Sequence, residues 1–510
     1  MFCKYIFTII FVRFSLCKII VFPFKYINEL EKNNKNSILN QFIQQKYITE
    51  LYIGTPFQKI NINLNTNDYR FYIANNICYN SSISFFNYSN SLSFKSGLPA
   101  VSPFDNLEDA SLVEETISLY NNINLDKNIT IDKFKFYFYK QYKFKENSDI
   151  FCGNIGLSIN LEILDLDYYD EDYYLPSIFS SLKSNDIISK YSWTYEYIDN
   201  FKYINNISNI NIVNKYDGLI IIGKYPHEYN PSIYSGHDLI SIYSDKKNYK
   251  SLWNFNFDKI YYNSIIVKDN KNNNLNDENN IISMNDKQVT LLININYIIS
   301  TKEFFESIQQ NFFDIYINKN ICQINTFKFE YNEYNIISCK KEYFTKDIIK
   351  TFPSIYFKHS EFNYTFSLTY DELFKEKDEE IYFLIYNHKS NSNLWKMGKL
   401  FLQKYHFSFN TDSNTIHFYS NYDKILSKRK NGSNTNTNEE EEVKNYENLK
   451  MILICIGLFI ISIIIGIFIG KKIANLNKKK EAKELQDSLS YESQDENINN
   501  DNKNNILPID

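Results

Sequence analysis

Between Lys46 and Tyr419 the apolar residues come in short runs, alternating at period two and cut by polar loops. A chain patterned that way buries its side chains as β-sheet. The runs TISLYNNINL, KFKFYFYKQYKF, DGLIIIG, KIYYNSIIV, VTLLININ, KYHFSFN and TIHFYS all read as strands. Two stretches break the pattern. KEFFESIQQNFF places Phe304, Ile308 and Phe312 on one helical face, and PSIFSSLKSNDIIS reads as a second helix opening at Pro176. KDNKNNNLNDENN, Lys268 to Asn280, is a polar insertion within a hairpin. The expected class is mainly β.

The two ends follow different rules. MFCKYIFTIIFVRFSLCKIIVF is apolar with an early Lys4, as in a secretory signal or an uncleaved anchor, although Arg13 and Lys18 interrupt it. Met451 to Gly470 carries no charge over a length that crosses a bilayer, and reads as a transmembrane helix. Lys471, Lys472, Lys478, Lys479 and Lys480 follow it while Glu439 to Glu442 precede it, so the bulk of the chain is expected on the lumenal or extracellular side, with a single-pass, type I topology. The expected layout is a signal or anchor at 1–24, an extension at 25–45, two β lobes at 46–200 and 201–426, a stalk at 427–450, the membrane span at 451–470 and a polar cytosolic tail at 471–510. A formal charge of −5 without a basic domain leaves no electrostatic footprint for nucleic acid.

Four of the seven cysteines fall in the expected ectodomain: Cys78, Cys152, Cys322 and Cys339. An oxidising lumen favours pairing. Cys322 and Cys339 close a short loop suited to a disulfide, and Cys78 with Cys152 would form a second pair or stay free; four cysteines allow three connectivities. There is no CxxC, and His227, His237, His359, His388, His406 and His417 have no close ligand spacing, so neither a metal nor a cofactor is expected. The triplets Asn128-Ile-Thr130 and Asn363-Tyr-Thr365 match the glycosylation pattern, which an Asn-rich chain also produces by accident.

Several runs, in order, resemble the pepsin-like aspartic proteases. YITELYIGTPFQKINI is similar to that family's first hairpin, leading to INLNTNDYRFYI where the first catalytic Asp-Thr-Gly belongs. CGNIGLS resembles the Asp-Gly-Ile-Leu-Gly-Leu turn with Cys152 in place of the aspartate, and DGLIIIGKYPHEYNP the strand Gly-Glu-Leu-Ile-Leu-Gly-Gly. PSIFSSLKSNDIIS resembles the helix and strand of the segment between them. VTLLININYIIS falls where the second Asp-Thr-Gly belongs, and NLWKMGKLFLQKYHFSFNTDSNTIHFYS is similar to the closing segment. The resemblance covers the whole expected ectodomain, and the membrane anchor resembles the layout of beta-secretases and a plasmepsin-like member. It implies a bilobal pepsin-like fold around a central cleft, each lobe supplying one aspartate on a turn.

That chemistry needs two carboxylates sharing a proton, one acting as base on water and the other as acid. By the resemblance, Asn65 and Asn294 occupy the two positions, and an amide does not ionise. The glycines give way to Asn67 and Asn296, Phe94 falls where the cleft-covering flap carries a tyrosine, and Lys399 stands where an aspartate is usual. Asp68 and Asp286 are the nearest off-register acids, the first in a polar loop and the second at the far end of its strand. GxSxG is absent. The expectation is a membrane-anchored pseudoprotease that binds a peptide or protein ligand in its cleft by strand pairing. The alternatives are an active aspartic-type endopeptidase using non-standard acids, and a surface adhesion or structural protein that uses its outer faces. Cleft substitutions separate the binder from the adhesin.

Overall fold

In the strand Gln58–Asn65, Ile60, Ile62 and Leu64 are buried while Asn61, Asn63 and Asn65 lie on the other face, so alternation in sequence becomes alternation across a sheet. The computed structural model describes residues 18–27, 46–66, 68–74, 86–99, 110–139, 153–158, 177–197, 215–245, 253–263, 281–293, 295–329, 332–389, 394–431 and 466–485. They fall into two units, Met1–Ser433 and Asn434–Asp510.

The first unit is mainly β. One sheet of 13 strands has the order Leu239–Tyr243, Thr415–Tyr419, Ser408–Asn410, Ser192–Tyr197, Gly218–Ile222, Ile20–Ile27, Lys46–Ile53 and Gln58–Asn65 in its first part. It continues through Gly153–Gly156, Phe71–Ala74, Asn128–Tyr139, Ala110–Tyr120 and Lys95–Pro99. A second sheet, of 11 strands, is drawn wholly from residues after Trp253 and has Asn254–Asn263, Ile281–Leu291, Trp395–Met397, Ile298–Ser300 and Ile385–His388 as successive neighbours near its middle. Trp193, Trp253 and Phe409 pack where the sheets meet, with Trp193 stacked on Phe409 at 4.3 Å between ring centroids.

Helices pack against the strands. Ser177 caps Ile178–Ser184 in a capping box, one residue inside the expected start at Pro176. Thr301 caps Lys302–Ile308, which buries Phe304, Phe305 and Ile308 and runs on through Phe313 to Ile317. Cys322 and Cys339 face each other across an antiparallel ladder and are joined by a disulfide. Cys78 and Cys152 lie outside the described residues.

Several expected boundaries differ from those observed. Ile20–Ile27, which spans the expected junction of segment 1–24 and extension 25–45, forms a strand between Gly218–Ile222 and Lys46–Ile53. A short apolar run such as Ile19–Phe24 serves a sheet interior as well as a signal. The stalk expected from residue 427 begins later, because Tyr422–Asn431 is a helix whose Arg429 is 5% exposed. VTLLININ leaves its strand at Leu291, and KYHFSFN keeps only Ser408–Asn410 as strand because Lys399–Lys404 is helical.

Arg429 reaches the centre of the first sheet. Its guanidinium donates to Glu196 Oε2, and His406 Nε2 lies 3.3 Å from Glu196 Oε1. His406 is further held by Thr194 Oγ1 at 3.0 Å and Tyr234 OH at 2.7 Å.

In the second unit the described residues form one helix, 466–485. Among the described residues no helix is long and apolar enough to cross a membrane. Of the span expected at 451–470, residues 451–465 lie outside them.

Candidate functional site

Two strand motifs in the first unit have the same connectivity. In the first, Gln58–Asn65 runs parallel to Gly153–Gly156, which pairs antiparallel with Phe71–Ala74, itself parallel to Asn128–Tyr139. In the second, Ile281–Leu291 runs parallel to Trp395–Met397, which pairs antiparallel with Ile298–Ser300, itself parallel to Ile385–His388. In both, a later strand is inserted between the two arms of an earlier loop, bringing residues far apart in sequence against the loop.

The register fixes which residues correspond. Leu64 and Phe71 both lie opposite Ile155, as Leu291 and Ile298 both lie opposite Met397. Gly156 N donates to Arg70 O at 3.0 Å, and Gly398 N donates to Tyr297 O at 3.1 Å. The same shift carries Asn65, opposite Gly156, to Leu292. Resemblance pointed instead to Asn294, two residues on, which lies outside the described residues, as does Asn67.

The glycine in each motif is dictated by contact. A Cβ on Gly156 would stand 2.4 Å from Asp68 O, and one on Gly398 would stand 2.2 Å from Ile295 O and 2.3 Å from Tyr297 O. Those neighbours are backbone and have no rotamer to yield. Gly398→Ala is expected to destabilise the fold by about 1–3 kcal/mol as an overpacking change, read as a lower denaturant midpoint. An unchanged midpoint would show that the inserted strand is not packed this tightly.

The chemistry available in the two loops is limited. Asn65 is half-buried, and its carbonyl accepts from Leu157 N at 2.8 Å. Asn63 Nδ2 donates to Asn154 Oδ1 at 3.1 Å, and Asn154 Nδ2 to Arg70 O at 3.2 Å, so amides bind the strands where the loop begins. Thr66 is buried. The same shift makes Ile293 its counterpart in the second motif. Leu292 packs into an apolar cluster with Ile295, Tyr297, Ile299 and Tyr386. Neither Leu292 nor Asn294 carries a carboxyl group, whichever is taken as the counterpart of Asn65.

Asp68, the nearest alternative acid, is engaged by Arg70. The Arg70 backbone N donates to Asp68 Oδ1 at 2.9 Å, Nε donates to Oδ1 at 3.0 Å, and NH2 donates to Oδ2 at 3.0 Å. A fork of this kind turns the carboxylate toward the guanidinium. Asp286 is exposed on the strand Ile281–Leu291, with a φ of 51°. Phe94 immediately precedes Lys95–Pro99, and its ring packs against Phe86, Tyr88 and Phe138, in an aromatic cluster rather than on the turn of that hairpin. Residues 100–109, between the hairpin strands, lie outside the described residues.

Lys399, at the first turn of its helix, gains little from a helix start. Its Nζ lies 3.7 Å from the centroid of the Tyr26 ring and 5.4 Å from that of Tyr197, so a cation over aromatic faces links the second motif to the first sheet. Trp253 makes a second link, donating from Nε1 to Leu157 O at 3.1 Å.

One pairing escaped the sequence reading because antiparallel neighbours far apart in the chain create it. Ser241 Oγ lies 2.6 Å from His417 Nδ1. The other ring nitrogen of His417 meets Thr415 Oγ1 at 2.9 Å and Tyr225 OH at 3.2 Å, both hydroxyls, so the pair lacks the carboxylate that completes a nucleophilic triad. Burial holds the His417 imidazole down at about 4. Among the described residues no group of three His, Cys, Asp or Glu side chains is placed to hold a metal.

No protein-family model matches the chain, and no curated protein matches it.

Proposed function

We propose that this protein is a membrane-anchored, catalytically inactive homologue of the pepsin-like aspartic proteases that acts by binding a peptide or protein. The observation that carries the reading is the pair of matching strand motifs, which present Asn65 at one loop and Leu292 at the other. A shared-proton mechanism needs an ionisable group from each loop. Asn65 and Leu292 offer an amide and an alkyl group, and Asp68 is tied to Arg70.

The ordered resemblance along the chain supports the family reading, as do the glycines that allow the inserted strands. The disulfide Cys322–Cys339 fits a lumenal or extracellular environment. The uncharged run from Met451 to Gly470 and the lysines after it support anchoring with the tail in the cytosol. Binding without cleavage draws on backbone groups at strand edges, which pair with an extended segment whatever side chains the loops carry.

The test is incubation of the purified full chain with a diverse peptide library across about pH 4.5–7.5, read by mass spectrometry, with Asp68→Asn alongside. The expected result is no cleavage and retention of a subset of peptides. Cleavage that disappears in Asp68→Asn would replace this reading with an endopeptidase using a non-standard acid.

A further inference from the structure

Three Asn-X-Ser/Thr triplets lie wholly among the described residues, and the fold treats them differently: Asn87-Tyr88-Ser89, Asn128-Ile129-Thr130 and Asn363-Tyr364-Thr365. In the first, the Asn87 side-chain oxygen accepts from Ser89 N at 3.2 Å and from Ser89 Oγ at 2.6 Å. Its backbone N donates to Gln58 Oε1 at 2.8 Å. The side-chain oxygen and the hydroxyl of that triplet are committed to a cap. The second opens the strand Asn128–Tyr139, with Asn128 opposite Tyr120 and Thr130 opposite Ser118 in a long ladder.

The third sits in a tight turn between Ile355–His359 and Tyr364–Leu368. Asn363 N donates to Ser360 O at 2.9 Å, and Asn363 takes a φ of 48°, a left-handed conformation that asparagine tolerates better than most residues. Asn363 and Thr365 are both exposed, and neither side chain has a hydrogen-bond partner among the described residues. The turn is braced from beneath. Phe362 is buried and its N donates to His359 Nδ1 at 3.1 Å, while Tyr364 OH donates to Asp423 Oδ1 at 2.6 Å. An exposed, uncommitted carboxamide therefore stands on a rigid turn beside an exposed threonine hydroxyl.

We propose that Asn363 is an acceptor for N-linked oligosaccharide, an inference that rests on the lumenal reading of the chain. The donor class is an oligosaccharide carried on a lipid pyrophosphate. The Asn363 carboxamide nitrogen forms a bond to the sugar C1 as the C1–O bond to pyrophosphate breaks. Pyrophosphate leaves with the electron pair, and the displaced amide proton passes to a base of the transferase. Nothing is oxidised or reduced. The Thr365 hydroxyl is part of the acceptor, and a bulky polar substituent at this exposed turn is compatible with the packed strands behind it.

The test expresses the full chain in a glycosylating eukaryotic host and releases N-glycans enzymatically in heavy-oxygen water, which marks each occupied asparagine. Peptide mapping is expected to find the mark at Asn363, none at Asn87, and complete loss at Asn363 in Thr365→Ala, which keeps the asparagine. Asn363→Gln provides an independent loss. The same digest, run without reductant, reports the Cys322–Cys339 bond. An intact disulfide with Asn363 unmarked overturns the glycan site and leaves the lumenal reading standing. Free thiols with no mark at any triplet overturn both.

Discussion

Arg429→Met is expected to cost about 3–5 kcal/mol of stability, because it strands a carboxylate in the centre of a sheet. Glu196 is fully buried on Ser192–Tyr197, and its Oε2 is held by the Arg429 guanidinium from the helix Tyr422–Asn431. Burial alone pushes the Glu196 carboxyl up, with Arg429 and Tyr229 opposing that rise. Removing the guanidinium leaves the cost of burial uncompensated. The double variant Glu196→Gln/Arg429→Met removes both charges and is expected to recover much of the loss, since two neutral groups of similar shape need no partner charge. Denaturant unfolding of the two single variants and the double reads the coupling directly. Additive losses would mean that the two side chains do not act as a pair.

Acid is expected to weaken the fold, through histidines that it keeps neutral. Burial holds His359 and His417 down at about 4, and lowers His406 well below its ordinary value with Arg429 adding to the effect. Asp258 works against the shift at His359. His359 Nδ1 accepts a hydrogen bond from Phe362 N at 3.1 Å, which a protonated ring could not do. A depressed folded value means that the unfolded chain takes up the proton first, so stability is full above about pH 6.5 and falls as pH drops toward 4. Each of His359 and His417 contributes a loss of about 3 kcal/mol over that window. Glu196, raised by burial, acts in the opposite sense and recovers part of it. Unfolding free energies measured between neutral pH and about pH 4.5 should fall steadily, with a shallower slope in His417→Asn. A flat profile would rule out buried neutral imidazoles as the cause.

Much of the fold was legible because its signals are local. Alternation marked the strand Gln58–Asn65, and DGLIIIG named the buried strand Gly218–Ile222. The apolar spacing of Phe304, Ile308 and Phe312 and the opening Pro176 named two helices, which Thr301 and Ser177 prove to cap. What escaped depends on partners distant in the chain. Ile20–Ile27 has the composition of a leader, and only its pairing with Gly218–Ile222 makes it part of a sheet. The counterpart of Asn65 is set by the parallel register between Ile281–Leu291 and Trp395–Met397, which singles out Leu292 where a local match favoured Asn294. Arg429 lies in the polar run SKRKN, where nothing nearby hints that one of three consecutive basic residues is buried against Glu196.

The place of Ile20–Ile27 also bears on how the molecule is made. That early strand lies in the same sheet as Ser408–Asn410 and Thr415–Tyr419, with Gly218–Ile222 and Ser192–Tyr197 between them. The sheet cannot close until nearly all of the first unit has left the ribosome, so its contacts are of the longest range the chain offers and form late. Until then Ser192–Tyr197 keeps an open edge, the kind of edge that invites pairing with a neighbouring nascent chain. A transcript that stops short of Tyr419 therefore yields a client for chaperones, not a smaller working protein.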